Sequence, residues 1–483
     1  MKTSKNCSAK IMKAKPLMTL KCVKCKSKFP YSPFLGRCNN CDGTIEYDLG
    51  LPKKGKIKFF GRFSFWRYKI LLPPTRHQIS LGEGGTPLHK ALRLAKSLGL
   101  QELYLKDETR NPTNSYRDRA AALYVSNAVD LKHDTLVCAS NGNLGASLAA
   151  YCAKAGLNCH LIVPKLVDVG KLAQMLVYDA TIEEFGEILD DSIGKAETLA
   201  KEMNWYQATA ELNPLAIEAQ KTISYEVYEQ FGVPDYFIVP MGSGGTIYSI
   251  WKGFKELKQL KIADSLPKMV GVQPEGSSSI VKTFLEGQTK ILKISKPSTH
   301  ALAVLVSQPL QGELAIKAIK ESEGLALTVS DQEIFSAELQ IAKLEGMFAE
   351  PASSATVAAL RKLIETEKID KGNSVVCLIS GSGLKATDVL HALTKKQKTA
   401  KVGLELSTKE KILRILSEKD TYGYDLWKKL AKTMTRAAIY QHLNELSEKG
   451  LIISYTKNGK RFFKITERGK KALQAMDDLK LLF

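Results

Sequence analysis

From about residue 76 to 392, short apolar runs alternate with longer segments whose apolar residues recur at i, i+3 and i+4. The runs ELYLK, TLVCAS, NCHLIVP, DYFIVPMG, KMVGVQPEG and SVVCLISG read as strands, and segments such as RDRAAALYVSNAV and NLGASLAAYCAKAG read as helices. This order predicts an α/β region of mostly parallel sheets with flanking helices. Ligands in such folds bind beyond the carboxyl ends of the strands.

Four of those strand ends carry glycine and small polar residues: ASNGN at 139–143, MGSGGT at 241–246, GSSS at 276–279 and SGSG at 380–383. A glycine-rich turn that feeds a helix offers main-chain N–H groups and the positive end of the helix dipole to a phosphate, and MGSGGT followed by IYSIWKGFKEL has that form. It lacks the GKS/T ending of a nucleotide P-loop. Each turn alone is equally compatible with a plain strand-to-helix connection; together they predict one pocket with a phosphate cradle.

The pattern changes after the lysine-rich stretch TKKQKTAKVG. Helical periodicity appears at TKEKILRILSEKD, GYDLWKKLAK and TRAAIYQHLNELSEKG, followed by the strand-like runs LIISYTK and KRFFKIT around Asn458-Gly459, a strong hairpin signal. The closing segment ERGKKALQAMDDL reads as a last helix suited to dimerisation. Three helices and a basic hairpin resemble the winged helix-turn-helix of many prokaryotic repressors. In the third helix Ile439, Leu443 and Leu446 share one face, which leaves Arg436, Tyr440, Gln441 and Asn444 to face a major groove of double-stranded DNA. Lys457, Lys460 and Arg461 on the wing would meet phosphates or the minor groove. A protein-binding winged helix or a solvated lysine-rich bundle is the competing expectation.

Charge supports two basic ends on an acidic middle. Of the formal +20, residues 1–72 hold 17 basic against 3 acidic side chains and residues 404–483 hold 17 against 10. Residues 391–403 add four lysines, so 73–390 is mildly negative. Such asymmetry points to an anionic partner for the ends, nucleic acid foremost. No run approaches the roughly 18 apolar residues of a membrane span, and MKTSKNCSAKIMKAK has no apolar signal core, so a cytoplasmic protein without a membrane partner is expected.

Nine cysteines in 483 residues do not suggest a disulfide framework. Their spacing is informative: Cys22 and Cys25 form one CxxC knuckle, Cys38 and Cys41 another, a set that can place four thiolates around one structural zinc. Gly36 and Gly43 are expected where the backbone turns tightly. Cys7, Cys138, Cys152, Cys159 and Cys377 read as small apolar residues, Cys7 within a tail.

Seven collinear motifs then carry a resemblance: GEGGTPL at 82–88, KDETRNPTNSYRDR at 106–119, SNGN at 140–143, NP at 213–214 with EAQK at 218–221, GSGG at 242–245, EPAS at 350–353 and SGSGLK at 380–385. Over residues 76 to 390 the chain resembles threonine synthase of the pyridoxal-phosphate fold type II family, and the four-cysteine segment is similar to the N-terminal piece of some prokaryotic members. The resemblance implies a two-lobed fold in which Gly242, Ser243, Gly244, Gly245 and Thr246 cradle the cofactor phosphate. It further implies that Asn143 hydrogen-bonds the ring oxygen and that Ser380 faces the pyridine nitrogen, which a hydroxyl partner leaves unprotonated.

One motif departs from the pattern. The family reads NPTGSFKDR where this chain reads NPTNSYRDR, so the Schiff-base lysine position is Arg117. Imine formation needs a neutral amine, whereas guanidinium stays protonated with its lone pairs delocalised. Loss of a positioned base alone costs about 10²- to 10⁴-fold in rate. Arg117 is expected either to grip a carboxylate or phosphate or to fill space and pair with Asp118 or another acid. Lys106 and Lys171 are the nearby lysines and read as surface or strand-end residues.

The resulting map places a basic tail at 1–20, a zinc ribbon at 21–48, a linker at 49–75, the threonine synthase-like domain at 76–392, a lysine-rich linker at 393–403 and the winged helix at 404–483. It predicts a dimeric, ligand-responsive DNA-binding regulator on a catalytically impaired scaffold that binds pyridoxal phosphate, an amino acid or a phosphorylated intermediate non-covalently. The alternatives are an active threonine synthase that uses another lysine and carries a regulatory tail, or a scaffold that binds another subunit.

Overall fold

The computed structural model describes residues 19–30, 36–51, 57–288, 290–386, 408–430, 436–457 and 460–480. Cys7, most of the expected basic tail, the expected 393–403 linker and the Asn458-Gly459 turn lie outside the described residues. Two compact units divide the chain at residue 387.

In the first unit all six strands expected from the apolar runs form, and they are shared between two sheets. The larger sheet has the order Leu325–Val329, Lys268–Pro274, Tyr236–Pro240, Ser374–Ile379, Glu102–Asp107 and Leu88–Lys90. Its neighbours are parallel except the last pair. The smaller sheet has Thr181–Glu184, Asn158–Val163, Thr135–Ala139 and Tyr206–Gln207, all parallel. Central strands such as Tyr236–Pro240 and Thr135–Ala139 are buried at every position, as continuous apolar runs covered on both faces must be.

Beside these sheets a third sheet, antiparallel, pairs Thr19–Cys22 with Lys28–Pro30 and Ile45–Asp48. Its first strand thus includes Thr19 and Leu20, which the sequence map assigned to the basic tail. All four candidate ligand atoms of Cys22, Cys25, Cys38 and Cys41 lie within 4.8 Å of one another, with Cys22 and Cys41 sulfurs 3.6 Å apart and Cys25 and Cys38 3.5 Å. The left-handed knuckle positions are Lys26 and Asp42, with φ 64° and 55°, rather than the two glycines. Gly43 is required by crowding instead, because a Cβ there would sit 3.0 Å from the Cys22 sulfur; a Cβ on Gly36 would meet the Leu212 carbonyl oxygen at 2.5 Å. The stretch expected as a linker carries the short helical turn Phe65–Leu71, whose Phe65, Tyr68 and Leu71 are buried.

A fully buried ion cluster ties the sequence motifs together. Glu226 accepts from the Gly85 N–H at 2.8 Å, the Thr86 N–H at 3.1 Å and Lys106 Nζ at 2.8 Å. Arg119 reaches Glu226 at 2.5 Å and Glu108 at 2.8 Å. Lys106 thus stands at a strand end, as expected, but as a buried partner rather than a surface lysine, and burial, the largest influence, pulls its ammonium below the ordinary range despite Glu226. Burial opposes the charge on Glu226, but Arg119 and Lys106 outweigh it and hold the carboxyl well below the usual range.

In the second unit helix Thr408–Glu418 leads into strand Thr421–Tyr422, helices Gly423–Lys429 and Arg436–Glu448 follow, and strands Ile452–Lys457 and Lys460–Ile465 complete an antiparallel sheet ordered Thr421–Tyr422, Lys460–Ile465, Ile452–Lys457 before helix Glu467–Lys480. Ile439, Leu443 and Leu446 are buried with Ile412, Leu426 and Phe463, as the helical spacing requires. Among the described residues no helix is long and apolar enough to cross a membrane.

Two tests follow from these features. Glu226→Ala removes the carboxylate partner of buried Lys106 and leaves Arg119 with Glu108, and should lower the stability of the first unit by about 3–5 kcal/mol in urea unfolding followed by near-ultraviolet circular dichroism; a change below about 1 kcal/mol contradicts the cluster's role. The ribbon should release about one zinc per chain in a metal assay after thiol modification, and Cys38→Ser should abolish that release.

Candidate functional site

The carboxyl ends of Thr135–Ala139, Tyr236–Pro240 and Ser374–Ile379 deliver Ser140, Asn141, Asn143, the turn from Gly242 to Thr246 and Ser380 to one cleft. Helix Gly245–Gln259 starts at its floor, with Gly244 at φ 98° just before it. Among the described residues no hydrogen bond uses the N–H groups of Ser243, Gly244, Gly245 or Thr246, so four donors are available at a helix N-terminus. The turn is packed from behind: a Cβ on Gly245 would lie 2.0 Å from the Gln311 amide oxygen. The fourth expected turn is not part of the cleft. Ser277 and Ser279 point their hydroxyls at the carbonyls of Val304, Val306 and Ser307, so GSSS at 276–279 pins a neighbouring segment.

Opposite the glycine turn, Asn143 Nδ2 donates to both Glu350 oxygens at 3.1 and 2.9 Å, while its buried Oδ1 has no partner. Ser380 Oγ lies 3.0 Å from Ser353 Oγ and 3.4 Å from Glu350. The two hydroxyls of the turn are already engaged: Ser243 donates to Glu211 at 2.6 Å, and Thr246 lies 3.0 Å from the Tyr116 hydroxyl. Glu211 is buried and lines the cleft.

Arg117 opens the helix Arg117–Asp130, is half-buried and lines the same cleft. Its guanidinium stacks 4.8 Å from the Tyr116 ring centroid and makes no ion pair within 4 Å among the described residues. The expected pairing with Asp118 does not occur, because Asp118 is buried beneath the loop and accepts from the Thr113 N–H at 2.7 Å and hydroxyl at 2.6 Å. Burial works against the Arg117 charge, but Tyr116 and Glu211 raise its pKa above the ordinary arginine value. The neighbouring departures have physical counterparts. Asn114 adopts φ 62°, a left-handed conformation that asparagine tolerates where glycine stands in the family pattern. Tyr116 supplies the hydroxyl that reaches Thr246.

No lysine lines the cleft among the described residues. Lys171 is buried, not superficial: its Nζ is 2.6 Å from Asp168 and 3.5 Å from Glu350. Burial disfavours its ammonium, yet Glu350 and Asp168 outweigh that and keep it protonated. Its stem crosses Gly142, where a Cβ would fall 2.3 Å away and φ is 129°. Lys385, which the sequence did not single out, donates to the Thr113 carbonyl at 2.6 Å, and burial lowers its pKa to about 8.

In the second unit Gln441 and Asn444 are exposed along helix Arg436–Glu448, and Lys457, Lys460 and Arg461 are exposed on the hairpin. The Arg436 side chain lies outside the described residues. Tyr440 is 39% exposed but also packs back, edge-on to Phe463 at 6.4 Å and over Gly423, where a Cβ would clash with its hydroxyl. Lys460 sits 4.9 Å from the Tyr422 ring centroid and Arg461 5.3 Å from that of Phe463, so the wing's cations rest on aromatic faces. Glu211, Glu350 and Lys385 escaped sequence reasoning; only the motifs around the last two hinted at them.

Residues 79–381 match the family described as pyridoxal-phosphate dependent enzyme, and residues 412–475 match the PadR-like family of transcriptional regulators. Over 372 residues, 76% of this chain and 92% of the relative, the sequence is 40% identical to the threonine synthase of Methanosarcina acetivorans. It is 38% identical over 409 residues to that of Methanocaldococcus jannaschii, covering 83% of this chain and all of the relative. Among solved structures, a threonine deaminase isoform of Solanum lycopersicum superposes with TM-score 0.56 at 22% identity, over 64% of this chain and 87% of that one. Serine racemase from Dictyostelium discoideum gives 0.52 at 25% identity, over 62% and 92%. These solved structures share the two-sheet fold, while the sequence matches carry the relationship: the chain belongs to the pyridoxal-phosphate dependent enzyme family, has threonine synthases as relatives, and bears a PadR-like winged helix at its C-terminal end.

Proposed function

We propose that the protein is a dimeric DNA-binding regulator whose threonine synthase-like cleft holds a small ligand without covalent capture. The observation that carries this reading is the pairing, in one chain, of a cleft that presents a guanidinium and, among the described residues, no primary amine with a winged helix that presents exposed cations. The donor set fits the ring and phosphate of pyridoxal phosphate: the free N–H groups of Ser243 to Thr246 suit the phosphate, while the Ser380 hydroxyl and the unpartnered Asn143 Oδ1 suit polar atoms of the ring. It does not fit covalent attachment. When bound, that cofactor supplies an electron sink for chemistry at an amino-acid α-carbon. Arg117 orients an anionic group and cannot relay a proton, because guanidinium holds its protons far above neutral pH. An amino acid or a phosphorylated intermediate of its pathway fits the same cation.

For the DNA half, Gln441 and Asn444 offer side-chain amides for adenine edges, and Lys457, Lys460 and Arg461 offer phosphate contacts. Helix Glu467–Lys480 is the element proposed to join two copies on two half-sites.

One observation favours a second reading, an active lyase. Lys385, with its pKa near 8, is partly neutral at mildly alkaline pH and stands in the SGSGLK motif that also supplies Ser380. Its Nζ is committed to the Thr113 carbonyl and it does not line the cleft, which is why the regulator reading is preferred.

Two measurements test the choice. Fluorescence anisotropy on genomic operator fragments selected by footprinting should give an affinity that falls steeply with salt. The triple variant Lys457→Ala/Lys460→Ala/Arg461→Ala should flatten the log–log slope by about one per lost phosphate contact; a flat salt response in the wild type contradicts DNA binding. With saturating pyridoxal phosphate and O-phosphohomoserine, threonine formation should fall at least about 10²-fold below that of a lysine-bearing relative. Turnover comparable to the relative, abolished by Lys385→Met, establishes the second reading.

A further inference from the structure

We propose that Glu211 is a specificity-determining residue of the cleft, one that weakens the hold of the glycine turn on a phosphate dianion relative to a neutral or singly charged group. The inference rests on the reading of the cleft as a ligand pocket and specifies its ligand. It starts from the hydroxyls of the turn. Of the groups that would meet a phosphate, the main-chain N–H groups are free, but Ser243 Oγ is 2.6 Å from a Glu211 carboxylate oxygen and acts as its donor. Thr246 Oγ1 is likewise held at 3.0 Å by the Tyr116 hydroxyl.

The electrostatic consequence is direct. A phosphate monoester near pH 7 carries a charge of about −1.5 to −2, and at this turn it would lie one hydroxyl away from a buried carboxylate. Glu211 is only 8% exposed, so water screens that repulsion weakly. The compensating charge in the cleft is Arg117, which acts on Glu211 electrostatically but makes no close ion pair with it. An arriving dianion therefore shares one guanidinium with Glu211, whereas a ligand with a single carboxylate, such as a free amino acid, can take Arg117 and leave the Ser243–Glu211 pair intact. Glu211 thereby separates binding of a phosphorylated ligand from binding of its dephosphorylated counterpart.

The test uses the full chain and three probes without an aldehyde, so that surface lysines do not trap them: pyridoxine 5′-phosphate, pyridoxine and inorganic phosphate, each measured by equilibrium dialysis in the absence of DNA. Glu211→Gln keeps the shape and a hydrogen-bond partner for Ser243 while removing the charge; Glu211→Ser is the second variant should the first fold poorly, and circular dichroism and Tm verify each. The expected result is a gain of about tenfold or more in affinity for pyridoxine 5′-phosphate and inorganic phosphate, with pyridoxine changed by less than about twofold. Added Arg117→Gln should reverse the gain. An equal gain for pyridoxine, unchanged or weaker phosphate binding in a folded variant, or no phosphate binding by either protein overturns the proposal. Because no DNA is present, loss of the regulator reading shows separately, in the salt-dependence experiment.

Discussion

Guanidinium does not surrender its proton near neutral pH, and on the reading proposed for this chain that constraint falls at Arg117, where the family pattern reads lysine. Everything around Arg117 is arranged to hold it rather than to activate it. Its helix begins at a loop pinned by Asp118 to Thr113, its guanidinium lies 4.8 Å from the Tyr116 ring centroid, and Tyr116 and Glu211 outweigh burial to raise its pKa above the ordinary arginine value. The loop's other departures are consistent with one remodelled surface: Asn114 retains the left-handed turn, and Tyr116 adds a hydroxyl that closes onto Thr246.

The rest of the scaffold keeps the rigidity that a binding site requires. Glu226 gathers the GEGGT loop, Lys106 and Arg119 into a single buried cluster, so two of the family motifs are coupled through one carboxylate. Glu350 does the same beside the cleft, bridging Asn143, Ser380 and Lys171. A change at Glu226 would leave the Gly85 and Thr86 N–H groups without an acceptor, and one at Glu350 would do the same to Asn143 Nδ2, so motifs far apart in the chain depend on the same two acids.

Sequence reasoning reached the fold through periodicity and missed what periodicity does not encode. The six strands rich in branched and aromatic residues were legible because both faces are buried. Thr181–Glu184 reads TIEE and Tyr206–Gln207 has only two residues, so neither offers an apolar run. Lys106 and Lys171 looked superficial because lysine usually is; only three-dimensional proximity to Glu226, Asp168 and Glu350 allows them to be buried. GSSS at 276–279 matched the composition of a ligand turn but its hydroxyls serve local carbonyls. Glu211 had no motif to announce it, since its significance comes from a hydroxyl thirty-two positions away.

The most direct test of the central claim is to ask where a borohydride-reducible bond to pyridoxal phosphate forms, by peptide mass mapping of the purified wild type and of Arg117→Lys under identical conditions. The account predicts a stoichiometric label at position 117 in the variant and none on a lysine of the cleft motifs in the wild type. A stoichiometric label on Lys171 or Lys385 of the wild type would contradict it.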